Sequence, residues 1–490
     1  MLNRATLLVF LLVLCHGLAM GKDYVEEEED WRSEEPERKE RWLPAESSDW
    51  FLLRRSRQLI KTDAGEMKVT ESYGGRVVDR PMHIGFINME PKSLFIPQYL
   101  DSSLILFIRR GEAKLGFIYK DKLAERLLKT GDVYTIPAGS VFYLVNTGRG
   151  QRLHIICSID PSESLGIGVF QSFYIGGGAY PPSVLSGFEP EVVRAALNTS
   201  GFELRKILTK QQGGPIVFVD DSHAPSLWTK FLQPKEQDRL QQLKKMLDVH
   251  AESDDDEEKE QEAERTDWSW RKLLNFVFGN VNKETKKREI VKSPDSYNLY
   301  DRKPDFRNRF GWSVALDGYN YSPLKRSGTG VYLVNLTAGS MMAPHVNPRA
   351  TEYGIVLYGT GRVQVVFPNG TAAMNAKVRE GDVFFVPRYF PFCQIASRSG
   401  SLEFVGFTTS ARKNRPQFLA GGTSLLNTLM GPELAASFGV SEKTMRRLVR
   451  AQHESVILPA ERASPGDVDV RRREEGDERE ERGEDAWSSN

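Results

Sequence analysis

The sequence is poor in the residues that most often cross-link a fold or do chemistry in one. It holds three cysteines and seven histidines in 490 residues. One cysteine, Cys15, lies in the apolar start of the chain, so Cys157 and Cys393 alone remain, too few for a disulfide framework; stability has to come from packing. Lys+Arg and Asp+Glu both number 66, and a net charge of zero gives no global field to gather nucleic acid or an acidic membrane surface. No Gly-x-Ser-x-Gly elbow occurs, and the glycine clusters at 148–150 and 176–178 lack the lysine of a phosphate cradle. Long apolar runs are missing too, with one exception near the start, where Arg4 precedes an apolar run of about a dozen residues and small residues near Ala19 and Gly21 follow. A membrane span needs about 20 apolar residues, so a cleaved secretory signal over 1–21 and no membrane anchor are expected.

What is present is a globular composition, 40% hydrophobic, in a chain long enough for two domains. Three charged stretches, 22–49, 251–268 and 461–490, carry too few apolar residues to bury a core and read as disordered segments bracketing two ordered halves. The arginines at 471–473 are followed at once by glutamates, which argues against nucleic-acid binding. A secreted chain gives meaning to four Asn-x-Ser/Thr acceptors. Asn369, in "FPNGTA", reads as an exposed hairpin tip and is the first candidate; Asn198 is second, ahead of Asn335 in an apolar strand and Asn320 with Pro323 behind it.

The halves repeat each other. "GDVYTIPAGSVFYLVN" (131–146) matches "GDVFFVPRYFPFCQIA" (381–396), and "FYIGGGAYPP" resembles "FLAGGTSLLN". An offset this long indicates duplicated domains rather than a solenoid. Within each half, short Val/Ile/Phe/Tyr-rich runs separated by Gly, Pro and Asn predict consecutive strands of an antiparallel barrel or jelly roll. Three- and four-residue apolar spacing then predicts helices in "EPEVVRAALNTSGFELRKIL", in 225–250 and in "SLLNTLMGPELAASFGVSEKTMRRLVRAQ". The expected modules are 50–250 and 269–460, mainly β, each barrel followed by a helical arm.

The span 339–359 fits the pattern G-x5-H-x-H-x4-E-x6-G through Gly339, His345, Glu352 and Gly359, with Asn347 where a second histidine belongs. The pattern G-x5-P-x-G-x2-H-x3-N matches Gly131, Pro137, Gly139 and Asn146 with Phe142 in the histidine place; the second half keeps Gly381 and Pro387 but has Tyr389, Phe392 and Ala396. With these paired motifs, the secretory signal and the acidic inserts, the chain resembles the vicilin-type seed storage globulins of the cupin superfamily.

The resemblance implies two tandem cupin jelly-roll barrels, a non-enzymatic nutrient-reservoir role, a homotrimer joined through the helical arms, and delivery by the secretory route to a protein storage vacuole or outside the cell. Manganese enzymes of the superfamily use three histidines and a glutamate; with only His345 and Glu352 retained, no manganese enzyme is expected. No cofactor is required. Some vicilin relatives hold a copper ion, and here His345, Cys393 and Tyr73 are the candidate ligands for copper or zinc, provided that Pro391 introduces a bulge, since adjacent strand residues otherwise face opposite ways. His83, His154, His223, His250 and His453 have no spaced partners and read as structural or exposed. The alternative is a cupin that binds a metal or small ligand in a sensing, protective or weak redox role.

Overall fold

The computed structural model describes residues 51–70, 81–219, 295–460 and 463. The signal, the acidic stretches at 22–49 and 251–268, the helix expected at 225–250, Tyr73 and nearly all of 461–490 lie outside the described residues. Among the described residues, no helix is long and apolar enough to cross a membrane.

The first half contributes β1 (Ser56–Thr62), β2 (Gly65–Thr70), β3 (His83–Met89), β4 (Ser93–Leu100), β5 (Ser103–Arg110) and β6 (Glu112–Tyr119). It continues with β7 (Lys122–Lys129), β8 (Asp132–Ile136), β9 (Phe142–Asn146), β10 (Leu153–Asp160), β11 (Ser172–Tyr174) and β12 (Ile216–Phe218). In the second half come β13 (Tyr297–Asn298), β14 (Phe306–Asn308), β15 (Gly311–Leu316), β16 (Gly330–Leu336), β17 (Ser340–Met342), β18 (His345–Val346) and β19 (Glu352–Tyr358). The last strands are β20 (Thr360–Val366), β21 (Ala372–Arg379), β22 (Val383–Val386), β23 (Pro391–Ala396), β24 (Leu402–Thr408), β25 (Gln417–Phe418) and β26 (Ile457–Pro459).

Each half forms two facing antiparallel sheets, the jelly-roll arrangement expected from the strand spacing. The first pairs the order β1-β2-β3-β10-β5-β8-β13 with β11-β4-β9-β6-β7; the second pairs β14-β15-β16-β24-β19-β22 with β21-β20-β23-β17-β26. Strand alternation turns one side of each sheet inward. In the first barrel that side is an apolar core that includes Met67, Ile87, Phe95, Leu106, Leu115, Phe142 and Ile155.

The expected module boundaries are crossed in both directions. Leu52 pairs with Phe384 in β22, with Leu53 N–H donating to Val383 O (2.8 Å) and Phe385 N–H to Phe51 O (2.9 Å), so the start of the first half edges the second barrel. β13 returns the exchange by pairing with β8 of the first barrel. Each added strand satisfies backbone groups that an open sheet edge would leave bare.

Over 190–210 and 425–449 the helices form where their periodicity predicts. The first arm holds α1 (Pro190–Leu197) and α2 (Gly201–Lys210); α2 opens with a capping box between Ser200 and Glu203. A short α3 (Leu324–Ser327) precedes β16, and the second arm holds α4 (Leu425–Thr428), α5 (Pro432–Ser437) and α6 (Glu442–Val449). The arms do not simply follow their barrels: β12 returns to pair with β4, and β26 with β17, so each arm is an excursion anchored at both ends.

Small residues make room where large ones cross. Across four strands of the second barrel run Tyr332, Gly406, Gly354 and Phe384 in register. A Cβ on Gly406 would sit 2.1 Å from the Tyr332 ring, and one on Gly354 2.1 Å from the Phe384 ring. At the matching register of the first barrel Gly85 faces Cys157, so the large residue and the glycine trade strands between the barrels.

Candidate functional site in the second barrel

The two barrels differ most at the positions that the motifs mark. Register aligns them residue by residue: Gln98 pairs with Phe142 as His345 pairs with Phe392, and Leu104 with Ile136 as Glu352 with Val386. In the first barrel these places hold Gln98, Leu104 and Phe142 within an apolar interior. Gln98 is fully buried, and neither of its amide atoms has a hydrogen-bond partner among the described residues.

In the second barrel the same places form a polar group. The Asn347 amide donates to Glu352 Oε2 over 2.6 Å, and Gln394 Nε2 approaches Glu352 Oε1 at 3.4 Å. The Tyr332 hydroxyl donates to the same carboxylate and also lies 3.3 Å from Tyr353 O. Asn414, on the loop before β25, donates to Asn347 Oδ1 over 3.0 Å. Gln394 Oε1 and Asn414 Oδ1 are buried acceptors without a donor among the described residues. Burial raises the Glu352 carboxyl to about 7, partly offset by the hydrogen bonds from Tyr332 and Asn347.

His345 is buried beside this group. Its Nδ1–H donates to Ala343 O (2.7 Å), which fixes the tautomer, and its ring lies between Phe392 (centroids 4.1 Å apart) and Phe418 (5.4 Å). Burial depresses its pKa to about 4, with the bond to Ala343 opposing, so the imidazole is neutral at ordinary pH.

These residues do not fit the four-ligand manganese centre. Asn347 turns an N–H toward the one carboxylate, and Phe392 fills the place of a third imidazole with a ring. Among the described residues no group of three or more His, Cys, Asp or Glu side chains is close enough to hold a metal ion.

The expected copper or zinc pairing of His345 with Cys393 needs correction. The pairing of β20 with β23 runs from Ala396 to Phe392 without a bulge, so Pro391 does not rotate its neighbours. Phe392 and Gln394 therefore face His345 and Glu352, while Cys393 packs on the opposite face with Met341, Ile395 and Ala460. Burial pushes its thiol up to about 11, away from the thiolate a soft metal binds. Tyr73, the third candidate, lies outside the described residues.

The glycosylation candidates separate by exposure. Asn369 is exposed in the turn between β20 and β21, its side chain capping Thr371 N–H (3.1 Å). Asn198 is exposed as the left-handed cap of α1, and Asn320 is exposed beside Asp317. Asn335 is half-buried in β16, its amide donating to Glu403 (2.8 Å).

Sequence reasoning missed Tyr332, Gln394 and Asn414. Gln394 left a readable signal, the lone amide in the apolar strand "PFCQIA" two residues from Phe392 and so on the same face.

Two tandem jelly rolls, one largely apolar within and one keeping a histidine and a glutamate at the motif positions, define a double-barrelled β-protein with Asn347 and Phe392 where the motifs place two further histidines. The family model described as cupin matches residues 53–201 and 297–446, one barrel each, and the chain belongs to the cupin family, among its vicilin-like members. It is 56% identical over 425 residues to a vicilin-like seed storage protein of Arabidopsis thaliana, covering 86% of this chain and 82% of that one. A second Arabidopsis vicilin-like seed storage protein is 31% identical over 449 residues, covering 88% of this chain and 56% of its own length. The vicilin of hazelnut, Corylus avellana, superposes with a TM-score of 0.66 at 22% identity, over 85% of this chain and 99% of that one, which concerns the fold alone.

Proposed function

We propose that the chain is a seed storage protein, a non-enzymatic nutrient reservoir that enters the secretory route and accumulates in a protein storage vacuole as a homotrimer. The observation that carries this reading is the 56% identity, over most of both chains, to a relative named as a vicilin-like seed storage protein. The chemistry agrees: the polar interior of the second barrel joins a single carboxyl to amides, a phenol and a neutral imidazole, and among the described residues no three or more His, Cys, Asp or Glu side chains come close enough to hold a metal ion.

The helical arms support the trimer. Of the side chains of α1 and α2 only Val193 and Leu204 are buried, whereas Val192, Leu197, Phe202 and Ile207 are exposed. In the second arm Phe438 and Leu448 are exposed likewise. Apolar residues clustered on amphipathic helices call for a partner surface, and a repeated arm offers one to a second copy.

Quantifying the protein through seed maturation and germination tests the storage role. Massive accumulation in storage vacuoles followed by loss within days of germination is expected; a low, constant level in vegetative tissue would overturn it. A second reading, a small-ligand role for the second barrel, draws on the orphaned acceptors of Gln394 and Asn414. A solved vicilin of Solanum melongena is described as having different anionic ligands in structurally similar pockets. Mass spectrometry of small molecules released from the denatured protein separates the readings: a stoichiometric guest favours the second.

A further inference from the structure

Three loops meet at the end of the second barrel where Asn347 lies. Tyr389 N–H donates to Asn347 O (3.0 Å), Arg388 N–H to Thr351 Oγ1 (3.4 Å), and Arg349 Nη1 to Lys413 O (3.3 Å). Asn414, between Lys413 and Arg415, reaches in to Asn347. The segments 345–352, 386–392 and 409–418 that form this mouth carry Arg349, Arg388, Arg412, Lys413 and Arg415, and their single acid is Glu352, buried within. Arg349, Arg412, Lys413 and Arg415 are exposed, and none of these four makes an ion pair among the described residues. Tyr389 stands among them with its ring exposed beneath the Arg388 guanidinium (5.1 Å) and its backbone at φ 76°, a conformation that a bulky residue rarely adopts. Like charges crowded on one face of a chain with no net charge call for an anionic partner.

The matching mouth of the first barrel, 98–104, 136–142 and 160–172, has no lysine or arginine; its acids are Asp101, Asp160 and Glu163. It makes a poor complement in a second copy. The Asp101 carboxylate is taken up by the N–H groups of Leu165 and Gln171, and Asp160 is buried while accepting from Ser162 N–H. Only Glu163 is left facing out.

We propose that the acidic stretch 474–485 of the chain's own C-terminal tail docks on this basic mouth. The stretch holds eight carboxylates against two arginines. The chain leaves the second barrel at Ala460, whose N–H donates to Gly339 O (2.7 Å), at the end of β17 farther from His345. From there to residue 474 the backbone spans up to roughly 45–50 Å, against about 20 Å along the barrel to its mouth. Tethering holds the tail at an effective concentration in the millimolar range, ahead of free anions of similar charge. The attraction between exposed charges is screened over about 10 Å at 0.1 M salt, so docking is expected to loosen as salt rises.

Lys413 is the one amine of the mouth, and a zero-length carbodiimide joins an amine to a carboxylate in direct contact. Treating the full-length protein at about 20 mM salt should join Lys413 to residues within 474–485, and the link should vanish near 0.5 M salt. Mixing unlabelled with 15N-labelled protein should leave these links unmixed in isotope. Links from Lys413 to 251–265, to Glu163, or between differently labelled copies would overturn the assignment, as would no link at low salt. A variant with the eight acids of 474–485 changed to their amides leaves both barrels untouched. It should bind tripolyphosphate at least about tenfold more tightly than the parent by calorimetry, whereas equal affinity would count against a docked tail.

Discussion

The Asn347 amide stands 2.6 Å from Glu352 Oε2 and points an N–H at it. A carboxylate that receives donors from Asn347, Tyr332 and Gln394 is arranged as a hydrogen-bonded acid rather than as a ligand awaiting a cation. Together with His345 it gives the second barrel two buried titratable groups displaced in opposite directions.

The displacement makes a signed prediction. Glu352 is raised from 4.5 to about 7, so its contribution is full below about 4.5 and is lost as pH rises through 7. His345 is depressed from 6.5 to about 4, so its contribution is full above 6.5 and is lost as pH falls through 4. Between about pH 4.5 and 6.5 the two slopes oppose and nearly cancel. Glu352→Gln should expose the histidine slope, with stability falling by about 3 kcal/mol from pH 6.5 to 4, and His345→Gln the reverse slope from pH 4.5 to 7. Urea denaturation across pH tests both; variants as flat as the parent would refute the assignment.

Phe51 carries the exchange between barrels. It is buried against Phe385, Phe390 and Phe367, with ring centroids 5.5, 5.8 and 6.4 Å away. Truncating a buried phenylalanine costs about 3–5 kcal/mol, so Phe51→Ala should destabilise the protein by that order. The loss should concentrate in β22, read as faster hydrogen exchange at Phe385, whose amide bonds to Phe51 O. Uniform acceleration over both barrels would contradict a local anchor.

Much of this architecture could be read from the sequence because its signals are local. Apolar runs broken by turn residues gave the strands, the Gly-Asp-Val repeat gave the duplication, and Ser200 with Glu203 marks a helix start. The strand exchange could not be read, since Leu52 and Phe384 are more than 300 residues apart and backbone pairing leaves little trace in side-chain choice. His345, Asn347 and Glu352 were legible because a motif fixes their spacing. Tyr332 and Asn414 come from distant strands and loops, brought together only by register. The face of Cys393 turns on whether the strand bulges at Pro391, which composition does not reveal, and the ladder stays regular there.

The two thiols of the ordered halves should be inert. Burial pushes Cys157 up to about 12 and Cys393 to about 11, leaving almost no thiolate near neutral pH. An aromatic disulfide reagent at pH 8 should therefore titrate neither in the native protein and both after denaturation. Rapid native reaction of Cys393 would mean that its face of β23 opens to solvent, and would return it to consideration as a ligand.

The arms provide the last test. Phe202 and Ile207 of α2 are exposed by 79% and 59%, so neither supports the fold of its own chain. The helix is held instead by Leu204, which is buried, and by the Ser200–Glu203 capping box. Replacing both exposed residues with aspartate should then leave the far-ultraviolet circular dichroism and the barrels intact while removing the apolar contact that a neighbouring copy would cover. Light scattering should report a fall from three chains to one at micromolar concentration, because two desolvated charges would have no partners in a closed interface. A double variant that stays trimeric would show that α2 lies outside the interface, and the exposed residues of α5 and α6 would inherit the role; a parent protein that is itself monomeric would refute arm-mediated assembly altogether.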